Sequence, residues 1–272
     1  MTSKPAGPTP PDNLTPQQPN RPKVNKVTAD DITSSLKAGF SDFLARPVMS
    51  GFFGLFYAVF GILFVWCLFW LGNIWMIIPA TIAFPLVAPF ACAGLYEMSR
   101  RLQKGESFGW SDILTVMANQ RKREMGWMAF VTLFVLWIWF YQFRTVLVIV
   151  LQDSSFSDLD GFFNIVLHTP EGWTFLAIGT CVGAMLSAVL FTVTVVAMPM
   201  LLDRDMDFVS AMLTSVRVVS ENPVVMLTWA AIITVTMMLS LAPAFLGLIF
   251  SLPILGHTTW HLYQRAVSPA EE

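Results

Sequence analysis

The amino-acid sequence predicts an all-α, polytopic membrane protein: six transmembrane helices arranged as three units, each an amphipathic helix followed by a membrane hairpin. Three observations carry this. Apolar residues make up 55% of the 272-residue chain and charged residues only 12%, a composition displaced from that of water-soluble domains. Six stretches are long enough to cross roughly 30 Å of hydrocarbon, which takes about 20 mainly apolar residues. Fifteen of the sixteen Lys and Arg fall on one side of those stretches.

Taken in order, residues 1–22 hold seven prolines among Thr, Gln and Asn. They have no apolar core of the kind an export signal needs. Residues 1–30 therefore read as a disordered Pro-rich cytoplasmic tail. Residues 31–265 form the six-helix transmembrane domain, and 266–272 a short cytoplasmic tail. The first amphipathic helix aligns Ile32, Leu36, Phe40, Phe43 and Leu44 on one face. Spans follow at 48–71 and 74–98, joined by a tight turn at Gly72–Asn73. Pro79, Pro85 and Pro89 predict a kink in the second span.

The second unit starts with Trp110, Ile113, Leu114 and Met117 at helical spacing. Its spans, 126–151 and 173–202, are joined by a loop containing Asp153, Asp158, Asp160 and Glu171. The third places Phe208, Val209, Met212, Leu213, Val216 and Val219 on one face. Spans at 223–241 and 244–264 follow, with a short link at Ala242–Pro243. Asp31 to Pro47 is sixteen residues, and so is Asp207 to Pro223. Each Asp is placed to cap its helix. The middle unit has Lys122, Arg123 and Glu124 before its span, and no proline.

The charges orient the chain. The acidic 152–172 loop lies on the side without Lys or Arg, so the positive-inside rule places both termini in the cytoplasm. Trp127, Trp173, Trp260 and Tyr263 stand near span ends, as interfacial anchors do. Net charge is −2, which gives no basic field for nucleic acid.

A few residues invite chemistry. Arg144 is the one cation inside a span, about 9 Å from its outer end at 1.5 Å per residue. It either snorkels outward, or pairs with an acid such as Asp153, or faces a cavity that takes an anion or lipid headgroup; Gln142 fits each reading. His257 and His261 are an i, i+4 pair, so both imidazoles share a helical face. A metal site there needs a third ligand such as Glu97 or Cys92; the alternative is ordinary hydrogen bonding to neighbours. Asp203, Asp205 and Asp207 with Arg204 read as capping and local ion pairing rather than a cation site. Cys67, Cys92 and Cys181 form no metal pattern and read as packing residues. Gly51, Gly54, Ala58 and Gly61, and Gly179, Gly183 and Ser187, read as stripes for close helix packing, within the chain or against a partner. No phosphate-binding loop, zinc-protease motif or serine nucleophile with partners is present. No enzyme activity, cofactor or bound metal is expected.

Four segments carry a family resemblance: Gly94-Leu95-Tyr96-Glu97-Met98-Ser99-Arg100-Arg101, Pro199-Met200-Leu201-Leu202-Asp203-Arg204-Asp205, Ala211-Met212-Leu213-Thr214-Ser215-Val216-Arg217 and Gly256-His257-Thr258-Thr259-Trp260-His261-Leu262-Tyr263. Over roughly residues 35–265 the chain resembles an uncharacterised family of proteobacterial integral membrane proteins, a domain of unknown function with some members labelled as a cytochrome c oxidase subunit. The resemblance implies a bacterial inner-membrane location and no established activity. A haem–copper centre needs several histidines in a bundle core, and this chain has three in all. The expected function is therefore binding: an accessory or assembly factor for a larger membrane complex, respiratory complexes included. The expected partners are membrane lipids and a membrane protein. The alternative is a small-solute or lipid transporter with its path between the repeated units.

Overall fold

The computed structural model describes residues 22–71, 92–120, 124–151 and 159–269. In chain order the elements are β1 (Lys23–Val24), α1 (Ala29–Ala45), α2 (Pro47–Leu71), α3 (92–104), α4 (Trp110–Gln120), α5 (Met125–Val150) and α6 (Leu159–His168). They continue with α7 (Pro170–Thr194), α8 (Ala197–Asp203), α9 (Phe208–Glu221), α10 (Pro223–Leu241), α11 (Leu248–Ala266) and β2 (Val267–Ser268). The chain is an all-α, multi-pass membrane protein. Among the described residues, four helical stretches are long and apolar enough to cross a membrane: Pro47–Trp66, Met125–Val150, Pro170–Asp203 and Pro223–Leu241. They match the first, third, fourth and fifth expected spans. Most of the second, with its three prolines, lies outside the described residues.

The sixth expected span differs. Residues 242–247 are turns, with positive φ at Ala244 and Phe245, and α11 begins only at Leu248. α11 is less apolar than the four stretches above, yet its end returns to β1 and Asn222 beside the start of α10, so α10 and α11 run as the expected hairpin. The second half of α11 carries His257, Thr258, Thr259, His261 and Gln264, and twelve of its residues are buried. Enclosed by protein, it needs no lipid-compatible surface. Trp260 and Tyr263, expected as interfacial anchors, are buried on it, whereas Trp127 and Trp173 are exposed.

The short helices start and stop for local reasons. Thr28 is the N-cap of α1, and Asp31 is its capping-box partner rather than the cap itself. The Thr28 amide donates to Asp31 Oδ2 at 2.9 Å. Asp207 does cap α9, accepting from the Ser210 amide at 2.9 Å. These bonds, from the Thr28 backbone and from Ser210, hold both carboxyls below the ordinary aspartate range. Both helices end in the same bend, Arg46 at φ −141°, ψ 61° and Asn222 at φ −129°, ψ 50°. The next residue, Pro47 or Pro223, disfavours helical geometry before it and opens the following span.

Each short helix packs on the return helix of the preceding unit. Gly39 stands eight residues before Pro47, Met117 eight before Met125 and Ser215 eight before Pro223. Gly39 of α1 lies against Thr258 of α11, closely enough that a Cβ would overlap its backbone. Met117 of α4 lies against Gly94 of α3. Ser215 of α9 accepts from the Val196 amide and donates to the Thr192 carbonyl, filling the break between α7 and α8. The buried lines are Ser35 and Gly39 on α1, and Ala211 and Ser215 on α9. Small residues occupy these centres because the backbones approach closely. Part of the bulkier apolar row therefore turns outward, and Phe40, Leu44, Val209 and Leu213 are exposed.

The first and last described stretches meet. Lys23 pairs with Ser268 and Val24 with Val267. Asn222 accepts from the Val27 amide at 2.8 Å and donates to the Asn25 carbonyl. Residues 1–21 lie outside the described part, but 22–30, expected as the end of a disordered tail, are fixed by these bonds. Arg204 donates to the Tyr263 hydroxyl and to the Val267 and Ser268 carbonyls, tying β2 to α8.

Of the two small-residue stripes, only the first meets another helix's backbone, while in the second a Cβ at Gly183 would lie 3.4 Å from Trp139 Nε1 of α5. A Cβ at Gly54 would overlap Leu248 O and Ile249 Cα, and one at Gly61 the Phe245 ring. Gly179 has nothing near it.

Candidate functional site

A hydrogen-bonded network of polar side chains sits where α1, α2, α3 and α11 converge. His257 is fully buried. Its Nδ1 lies 2.7 Å from Ser99 Oγ and its Nε2 3.0 Å from Ser50 Oγ. Ser99 donates its one hydroxyl proton to Asp42 Oδ2 at 2.7 Å, so toward His257 it can only accept. The proton of His257 is therefore on Nδ1, and Nε2 accepts from the Ser50 hydroxyl.

The same counting fixes the second ring. Trp260 Nε1 has only a proton to offer and gives it to Gln103 Oε1 at 3.1 Å. The Gln103 amide nitrogen must then face the other way, donating to His261 Nδ1 at 2.9 Å and to Gln264 Oε1 at 2.7 Å. His261 accepts at Nδ1 and donates from Nε2 to Asp42 Oδ2 at 2.8 Å. Both imidazoles are satisfied as neutral rings. Asp42 is the hub, taking Ser99 and His261 on a single oxygen.

Glu97, on the same α3, is buried and held from both sides. Arg100 binds it bidentately, Nε to Oε2 at 2.7 Å and an Nη to Oε1 at 2.8 Å, and Arg101 Nε reaches Oε1 at 2.6 Å. Two guanidiniums around one carboxylate make it a fixed anion. Of the four expected site residues, the structure brings His257 and His261 into one network and sets Glu97 beside it. Arg144 stands apart on α5, exposed. No hydrogen bond or ion pair to it occurs among the described residues, and Asp153 lies outside them.

All four ring nitrogens of the histidine pair are spent, and among the described residues no group of three His, Cys, Asp or Glu is placed to hold an ion. Sequence reasoning missed Asp42, Ser50, Ser99 and Gln103. Two histidines on an otherwise apolar helix signal that polar partners exist on neighbouring helices, but not which residues they are.

A second feature is a groove of about 970 Å³ between α5, α7 and α10. Gly179, Gly183 and Ser187 line it with Trp139, Gln142 and Ala230. Two of its three threonines, Thr194 and Thr234, donate back to the Leu190 and Ala230 carbonyls of their own helices. Arg144 does not line it.

The segment that includes α3 to α8 is the one that known proteins recognise. Residues 77–203 match the family "Predicted integral membrane protein (DUF2189)". This is an uncharacterised membrane family of the kind the sequence motifs resemble. No curated protein and no solved structure matches the chain. The DUF2189 match takes in Glu97, Ser99, Gln103 and Arg144. It stops short of Asp42, Ser50, His257 and His261, so the network joins the matched segment to the helices on either side of it.

Proposed function

We propose that the chain is a non-catalytic protein of the bacterial inner membrane, both ends in the cytoplasm, and an accessory or assembly factor of a larger membrane complex. One observation carries the partner half of this reading. α5 buries only 6% of its most apolar window against its own chain, where the first span buries 39%. Helices associate in membranes by side-chain packing and polar contacts, and a span left this bare has most of its surface available to another protein. The non-catalytic half rests on the network: Ser50, Ser99 and His257 are fully buried and mutually satisfied. The equal spacing of Gly39, Met117 and Ser215 from their spans supports a threefold internal repeat that closes on itself through α1 and α11.

Purification of the tagged protein from its native membrane in mild detergent, followed by a native gel, tests this. A stoichiometric partner is expected. A lone monomer, together with unchanged levels of all respiratory and other membrane complexes in a deletion strain, overturns it.

The groove favours a second reading, transport of an apolar or amphiphilic solute between α5, α7 and α10. Here Gly183→Leu, which fills the groove beneath Trp139, should abolish uptake or flipping while the protein remains folded.

A further inference from the structure

The outward side of α5 carries Trp127, Phe130, Phe134, Trp137, Tyr141 and Arg144. Their steps alternate between three and four residues, the a/d spacing of a helix seam whose side chains seat between those of a neighbouring helix. The five rings form one unbroken run, with centroids 6.3, 6.5, 6.2 and 4.8 Å apart in order. All five are at least half exposed. Phe208 stacks on Trp127 at one end, 5.6 Å away. Arg144 continues the row, also exposed.

Interfacial anchoring does not account for this row. Aromatic belts sit at the two membrane surfaces, whereas Trp137 stands about 18 Å along a 26-residue helix, near its middle. Contact with lipid chains imposes no repeat of 3.5 residues. A guanidinium in the same row costs insertion energy unless something neutralises it.

We propose that this row is the docking seam for one transmembrane helix of a different protein, a helix that carries an Asp or Glu level with Arg144. The inference rests on the accessory-protein reading and supplies the partner's chemistry. Charge selects the occupant. A second copy docked in parallel sets Arg144 against Arg144. A second copy in any other pose offers no acid from within a span, because residues 47–96, 125–152, 172–202 and 222–264 contain no Asp or Glu. Glu97 is already bound by Arg100 and Arg101. A carboxylate on a foreign helix meets the planar guanidinium in two parallel bonds, strongest where water is scarce.

The test places the photo-reactive p-benzoylphenylalanine at Phe134 and at Tyr141 of the full-length protein in native membranes, with Trp139 on the groove side as control. Positions 134 and 141 should cross-link to one protein, within a membrane helix bearing Asp or Glu, and position 139 should not. Arg144→Glu should lower that cross-link about tenfold or more, Arg144→Lys should retain most of it, and an acid-to-Arg change in the partner should restore it with Arg144→Glu. Insertion of each variant is checked by its abundance in the membrane fraction. Cross-links to lipid alone, to a second copy or to a helix without an acid overturn the seam. So does rescue of Arg144→Glu by Asp153→Arg within this chain. A co-purifying partner that cross-links only from position 139 leaves the accessory reading standing and the seam refuted. No partner by either method refutes both.

Discussion

Ser99 Oγ stands 2.7 Å from both His257 Nδ1 and Asp42 Oδ2. Because a hydroxyl has one proton, this serine fixes the histidine tautomer and joins α1, α3 and α11 at a single atom. Ser99→Ala removes the acceptor for the His257 N–H and one of two donors to Asp42. A buried group left unpaired costs about 1–3 kcal/mol. Thermal unfolding in detergent should show Tm lower by roughly 3–10 °C. Ser220→Ala, whose hydroxyl bonds its own helix at an exposed site, should leave Tm unchanged.

Gly54→Val should be among the most damaging changes in the chain. Its side chain meets the backbone of Leu248 and Ile249, which cannot rotate away. Overpacking against backbone costs about 3 kcal/mol or more, to be read as loss of monodisperse protein on size-exclusion chromatography. Gly179→Ala, with open space around it, should elute as wild type.

Glu97→Gln leaves Arg100 and Arg101 without their anion. Both guanidiniums are partly exposed, so water recovers part of the loss. A destabilisation of about 1–3 kcal/mol is expected, larger than for Asp31→Asn, whose ion pair with Arg265 is at the surface. Parallel melts of the two variants measure the difference.

The helix caps give a pH dependence with a definite sign. Asp207 and Asp31 are both held below their ordinary value by bonds to the charged form. Their contribution is therefore present above about pH 4, the unfolded aspartate range, and disappears as pH falls through the depressed folded values. Tm of the wild type should fall on acidification below pH 4. The difference between wild type and Asp207→Asn should narrow over the same interval.

Arg204→Met should free the chain ends without disturbing the spans. It removes the bonds to Tyr263, Val267 and Ser268. Hydrogen exchange should accelerate in residues 22–28 and 266–269 while α10 remains protected. Unchanged exchange there would mean that the β1–β2 ladder and Asn222 suffice.

Fold class was legible in the sequence because it follows from quantities summed over many residues: long apolar runs, their spacing and the sidedness of charge. The proline breaks before α2 and α10 were legible for a local reason, since Pro47 and Pro223 restrict the residue before them. What failed was any inference that needed to know the neighbour of an apolar residue. Residues 244–264 carry no mark of what covers α11, because burial in protein and burial in lipid select the same side chains. Only packing showed that α11 is wrapped by α1 and α2. For the same reason Trp260 and Tyr263 read as anchors.

The site divides in the same way. His257 and His261 announced themselves, because imidazole is rare on an apolar helix and i, i+4 spacing fixes their common face. Their partners lie 158 to 219 positions away in sequence, and no single-chain pattern links Asp42 to His261. Composition and periodicity determined that this protein lives in a membrane and where its long helices run, but not α6, which forms within the stretch read as a loop. The tertiary structure alone decided which faces meet, because hydrogen bonds and close backbone contacts depend on distances that a one-dimensional chain does not contain.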